Sequence, residues 1–123
     1  MQKSEAVMKK LNLIGCGDSL IGNSQFNKSI SGGQKKRVSI GVELLSDPSI
    51  LIFDEPTSGL DSCNALIITR LLADLAKNEK KLIIATIHQP STLMFQAMDK
   101  LYLIKSGECI YSGPASQIVP YME

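Results

Sequence analysis

A chain of 123 residues with 44% hydrophobic and 20% charged residues has the make-up of one ordinary globular domain, which excludes global disorder. A formal net charge of +1 gives no broad basic surface, so no nucleic-acid partner is expected. Cys16, Cys63 and Cys109 stand far apart, without a C-x-x-C pair or a Cys/His cluster. That excludes the usual zinc sites and suits reduced thiols in a cytosolic setting.

No apolar run approaches the roughly 20 residues that cross a bilayer, so no membrane span is expected in this chain. The polar start, MQKSEAVMKK, does not read as a signal peptide. Ser4 to Leu11 suit a short helix ending near Gly15, and Gly15 to Ser29, rich in Gly, Asn and Ser, suit a loop. Ser31 then sits as a helix N-cap. Val38, Gly41, Val42 and Leu45 recur at helical spacing behind it, and Asp47-Pro48 stops the helix.

Ile50 to Phe53 is a short, continuously apolar strand, as expected for burial on both faces of a parallel sheet. Asp54 and Glu55 follow at its carboxyl end, and Pro56 to Gly59 form a turn. Asp61 or Ser62 starts a helix with Ala65, Ile68, Leu72 and Leu75 on one face, ended by Asn78 and the two lysines at 80 and 81. Leu82 to Ile87, interrupted by Thr86, is a second buried strand with His88 at its end. A short helix is expected over Thr92 to Ala97 and a hairpin of Lys100 to Lys105 with Glu108 to Ser112, turning at Ser106-Gly107. Pro114 opens a last helix through Val119. Strand, helix, strand from Ile50 to Ile87 predicts an α/β fold with one right-handed crossover. Its polar groups fall at the carboxyl ends of the strands, where open α/β sheets bind ligands.

Four segments carry candidate chemistry. In ISGGQKKR, Ser31, Gly32, Gly33 and Gln34 open a helix whose outward N–H groups and dipole favour phosphate oxygens. SGG alone equally describes a plain capped helix. In ILIFDEP, Asp54 can help hold magnesium and Glu55 can take a proton from an attacking water. Two adjacent acids expected to be buried are costly without a cation, which argues for function over a solvated strand end. In TSGLD, Thr57, Ser58 and Asp61 are also ordinary turn and cap residues. In TIHQPS, His88 can donate a hydrogen bond to a terminal phosphate or serve structure alone.

The order SGGQ, a hydrophobic strand ending in Asp-Glu, SGLD, and a strand ending in His resembles the nucleotide-binding domain of ATP-binding-cassette proteins. Asp54 lies 23 residues beyond Ser31, and His88 a further 34, spacings that suit that family. The resemblance extends over nearly the whole chain and implies a partial P-loop NTPase fold with a C-terminal hairpin. It implies that Ser31, Gly32, Gly33 and Gln34 are the signature motif, Ile50 to Asp54 the Walker B strand and Glu55 the catalytic glutamate. Ser58 to Asp61 become the D-loop and His88 the switch histidine. Residues 1–46 would close the helical subdomain and 47–123 belong to the catalytic core.

KKRVSIGVELLSDPSILIFDEPTSGLDS, ATIHQPS and LYLIKSGECIYSGP are similar to the eye-pigment-precursor and multidrug half-transporters of the G subfamily. Ile30 stands where leucine is commoner. The implied ligands are ATP and Mg2+. The implied partners are a second nucleotide-binding domain, in a homo- or heterodimer, and a transmembrane domain of the same parent chain. Membrane association at the cytoplasmic face and export of sterols, lipids or amphipathic drugs would follow.

No G-x-x-x-x-G-K occurs among these 123 residues. The resemblance therefore implies a C-terminal fragment without its Walker A loop, inactive by itself and carrying an unpaired sheet edge. An internal methionine at Met1 in an incomplete gene accounts for such a fragment. A truncated module that pairs with full-length subunits and a soluble ATPase of translation or DNA maintenance are the alternatives.

Overall fold

The computed structural model describes residues 2–22 and 29–122, and part of the expected Gly15–Ser29 loop lies outside these described residues. The chain forms two compact units, Met1–His88 and Gln89–Glu123.

In the first unit, helix α1 (Gln2–Lys10) is followed by a 3₁₀ turn at Ile14–Cys16. Asn12, in the left-handed region at φ 52, breaks the helix before Gly15 is reached. Helix α2 (Gly32–Leu44) begins at the Ser31 cap, as expected. Strand β1 (Ile50–Phe53), helix α3 (Ser62–Glu79) and strand β2 (Leu82–Ala85) make the strand–helix–strand unit. β1 and β2 pair in parallel, Ile50 opposite Leu82 and Phe53 opposite Ala85. A parallel neighbour needs a long connection, and α3 supplies it.

The core gathers Leu11 and Leu13 with Ile40 and Leu44 of α2, Leu51 of β1, and Ile68, Leu72 and Leu75 of α3. The α3 stripe is the expected one. On α2 the buried residues are Gly33, Ile40, Gly41 and Leu44, whereas Val42 and Leu45 are exposed. Helix α2 packs against both α1 and α3. Its buried face is set by where those two lie, and Val42 and Leu45 instead line an apolar groove with Val7, Leu11 and Ile30.

The expectation of strands buried on both faces is corrected. Leu51 is buried and Phe53 and Ile83 pack on the core. The alternate residues, Ile50, Ile52, Leu82 and Ile84, are 55%, 74%, 55% and 51% exposed. Period-two alternation puts these four on one face of the sheet, and no described residue of the first unit covers it. A wholly apolar strand states that both faces can be buried; what lies against each face is a tertiary matter.

Lys81 ties the two strand entrances together. Its Nζ donates to Asp47 Oδ1 at 2.7 Å and to the Pro48 carbonyl at 2.8 Å, just before β1. Lys10 pairs with Glu79, joining the ends of α1 and α3.

In the second unit, helix α4 (Thr92–Phe95) is capped by Ser91. Strands β3 (Lys100–Lys105) and β4 (Glu108–Pro114) form the expected antiparallel hairpin. Ser106 at φ 51 and Gly107 at φ 84 are both left-handed, as a two-residue turn matching the strand twist requires. Strand β4 runs two residues past the expected Ser112. The expected last helix is a 3₁₀ turn at Ala115–Gln117 followed by α5 (Ile118–Met122). Buried Tyr111 anchors this end: its hydroxyl donates to the Pro114 carbonyl at 2.7 Å and its ring lies 5.0 Å from that of Tyr121.

Candidate active site

Because β1 and β2 run parallel and in register, their carboxyl ends lie side by side. Asp54 and Thr86 each follow directly on a paired residue. The Thr86 N–H donates to the Phe53 carbonyl at 3.0 Å, extending the ladder one step. Its hydroxyl donates to Asp54 Oδ1 at 2.6 Å and accepts the Glu55 N–H at 2.9 Å. One side chain just past β2 thus holds the Asp54 carboxylate and the Glu55 backbone N–H, and His88 stands two residues further on.

The acids themselves are exposed, which corrects the expectation that they are buried. The open strand end lets water reach both carboxylates, so burial cost is no argument for their role. The geometry is the stronger argument. Glu55 adopts φ 44, a left-handed conformation uncommon for a residue with a side chain. Its carbonyl accepts from Ser58 N–H at 3.1 Å, closing the turn into the SGLD segment, and from Lys36 Nζ of α2 at 3.4 Å.

The N-terminus of α2 is built by a reciprocal capping box. Ser31 Oγ accepts the Gln34 N–H at 3.2 Å, and Gln34 Oε1 accepts the Ser31 N–H at 2.7 Å. The N–H groups of Gly32 and Gly33 remain outside the helix's own bonding, as at any helix start. Ser31 and Gly32 are exposed, whereas Gly33 is buried. A Cβ on Gly33 would lie 2.5 Å from Asn64 Oδ1, and one on Gly32 would lie 3.6 Å from Leu60. The second glycine therefore serves close packing against α3, a reason the sequence reading did not supply.

Asp61 caps α3. One carboxylate oxygen accepts the Asn64 N–H at 3.3 Å and the other accepts from Asn64 Nδ2. The Asn64 side-chain hydrogen bond, seconded by its backbone N–H, holds the Asp61 carboxyl below the usual carboxylate range. Asp61 is thus joined through Asn64 to Gly33, so the signature-like and SGLD segments meet.

Among the described residues no group of three or more His, Cys, Asp or Glu is arranged to hold a metal. Asp54 nevertheless fits magnesium: one oxygen is fixed by Thr86 and the other takes no hydrogen bond from the described residues. Magnesium is commonly held by one or two carboxylates together with waters and substrate phosphates.

Thr86 and Asn64 were not singled out by sequence. For Thr86 the signal was present: a polar residue ends an apolar strand at the register position opposite Asp54. Asn64 carried only its place three residues after an N-cap.

Comparison with known proteins shows what the chain is similar to. The family described as ABC transporter matches residues 1–58. ABC transporter G family member 25 of Arabidopsis thaliana is 42% identical over 123 residues, covering 100% of this chain and 18% of that protein. Broad substrate specificity ATP-binding cassette transporter ABCG2 of Rattus norvegicus is 43% identical over 120 residues, covering 98% of this chain and 18% of its own length. In structure, the chain is similar to cbiO1 from Clostridium perfringens, part of the ABC transporter complex cbiONQ. The TM-score is 0.78 at 27% identity, over 99% of this chain and 46% of that one. MJ1267, an ATP-binding cassette of an ABC transporter, shares the fold with a TM-score of 0.76 at 24% identity, over 97% of this chain and 46% of its own.

The fold is that of ABC ATPase domains, of the P-loop NTPase class. Over nearly its whole length the chain is similar to ABC transporters of the G family. It spans less than a fifth of the length of the two G-type relatives described above. No helix among the described residues is long and apolar enough to cross a membrane.

Proposed function

We propose that this chain forms part of the ATP-hydrolysing domain of a G-family exporter of lipids, sterols or other amphipathic substrates. Asp54 holds Mg2+ beside the terminal phosphates of ATP, Glu55 takes the proton of the attacking water, and His88 donates a hydrogen bond to the γ-phosphate. Ser31, Gly32, Gly33 and Gln34, with Asp61, face the ATP held by a second nucleotide-binding domain. Residues 1–46 end the helical subdomain and 47–123 belong to the catalytic core. The domain works at the cytoplasmic face of a membrane, coupled to a transmembrane domain of the same parent protein.

The observation that carries this reading is the joining of Asp54 and Glu55 to the end of β2, two residues before His88. The cation-holding, proton-accepting and phosphate-contacting groups thus come from adjacent strand ends. The transporter reading is favoured over a soluble ATPase by the G-type relatives, whose similarity runs through the IHQPS string and the hairpin.

In isolation these 123 residues turn over no ATP, because no G-x-x-x-x-G-K loop is among them to cradle the triphosphate. The test belongs in the full-length protein carrying this segment. Glu55→Gln there lowers ATP hydrolysis by about 10²–10⁴. Unchanged turnover refutes the assignment of the base.

A further inference from the structure

We infer that Thr86 is a positioning residue for ATP hydrolysis: its hydroxyl sets the water-activating Glu55 in register with the cation-holding Asp54. The inference rests on the roles proposed above for those two acids and adds what orients them.

A hydroxyl has one proton to give and two lone pairs to receive. Thr86 spends both capacities on the two acids, donating to Asp54 Oδ1 at 2.6 Å and accepting from the Glu55 N–H at 2.9 Å. Its own direction is well determined. The Thr86 backbone is tied to Phe53 at 3.0 Å, and a β-branched side chain has few rotamers open to it. The chain beyond β1 therefore takes its orientation from β2.

Glu55 needs such a clamp. A non-glycine residue at φ 44 relaxes unless its surroundings hold it. The Ser58 N–H and Lys36 Nζ hold its carbonyl, and Thr86 holds its amide. Without the Thr86 hydroxyl, Asp54 could turn about χ1 and the peptide before Glu55 could rotate. The carboxylate of Glu55 would then lose its fixed distance from a cation on Asp54.

Thr86, Asp54 and Glu55 are all exposed, which separates positioning from structural support. Water can replace both hydrogen bonds when the hydroxyl is removed, so folding stability changes little. Water cannot supply fixed geometry, and catalysis is far more sensitive to misplacement than stability is.

The test uses the full-length protein with Thr86→Val, which keeps the shape and removes the hydroxyl, and Thr86→Ser, which keeps the hydroxyl. Valine lowers kcat by about ten- to a hundredfold, with KM for MgATP within about twofold and an unchanged melting temperature. Serine restores kcat to within about threefold of the parent. In the nucleotide-free protein, the Glu55 amide is protected from hydrogen exchange in the parent and the serine variant and unprotected in the valine variant. Parental kcat with valine overturns the inference, as does a valine variant that no longer folds, which would mark Thr86 as structural. A Glu55 amide exchanging at the open-chain rate in the parent overturns it without any enzyme assay. Glu55→Gln, run alongside, distinguishes the failures. If it leaves hydrolysis intact, the site reading and this inference fall together; if it abolishes hydrolysis while valine does not, only this inference falls.

Discussion

The Asn64 side chain occupies the space that a methyl group on Gly33 would need, with Oδ1 2.5 Å and Cγ 2.9 Å from that position. Through this contact the first turn of α2 rests on the first turn of α3. Asn64 is held there by the Asp61 carboxylate. Gly33→Ala therefore forces apart two helix starts in a buried place. We expect a loss of about 1–3 kcal/mol in urea denaturation. Asn64→Ala in the same protein should recover part of it, because the clashing amide is gone.

Ser31 has a structural duty apart from any nucleotide. Ser31→Ala removes the acceptor for the Gln34 N–H and should cost about 1 kcal/mol of stability. Ser31→Arg is the functional counterpart. Its long cation would stand where the second domain's ATP is proposed to dock, and ATP-dependent dimerisation should vanish. An intact dimer by size-exclusion chromatography with ATP would count against the signature role.

Two carboxylates make stability depend on acid. The Lys81 ammonium, through its hydrogen bond and its charge, holds Asp47 below the usual carboxylate range, and Asn64 does the same for Asp61. Folded pKa values that are depressed contribute stability above the unfolded pKa of about 4, and that contribution fades as pH falls through the folded values. The melting temperature should therefore decline below about pH 4. Lys81→Met and Asp61→Asn together should flatten that decline. Asp47 and Asp61 are both exposed, so the slope is shallow.

In its proposed role as the base, Glu55 sets stability against activity. Glycine accepts a left-handed φ without the penalty of a Cβ, so Glu55→Gly should raise the unfolding free energy by up to about 1 kcal/mol, and with it the urea midpoint, while abolishing hydrolysis. Glu55→Gln keeps the strained backbone and should leave the midpoint where it is. A lower midpoint for glycine would mean that the glutamate side chain supports the fold.

Much of this molecule is written locally. The Ser31 cap, the α3 stripe of Ala65, Ile68, Leu72 and Leu75, both strands and the Ser106-Gly107 turn are legible in sequence. Capping, helical periodicity and left-handed turn positions depend on residues a few places apart. The order of the four polar segments was legible for the same reason, and with it the family. Tertiary structure alone decided that Thr86 binds both Asp54 and Glu55, that Gly33 makes room for Asn64, and that Ile40 rather than Val42 faces the core. It also decided that the two acids, and Ile50, Ile52, Leu82 and Ile84 on the strands, are exposed. Each of those facts depends on which distant segment lies alongside, and hydrogen bonds and packing act on whatever is within a few ångströms in space, however far away it is along the chain.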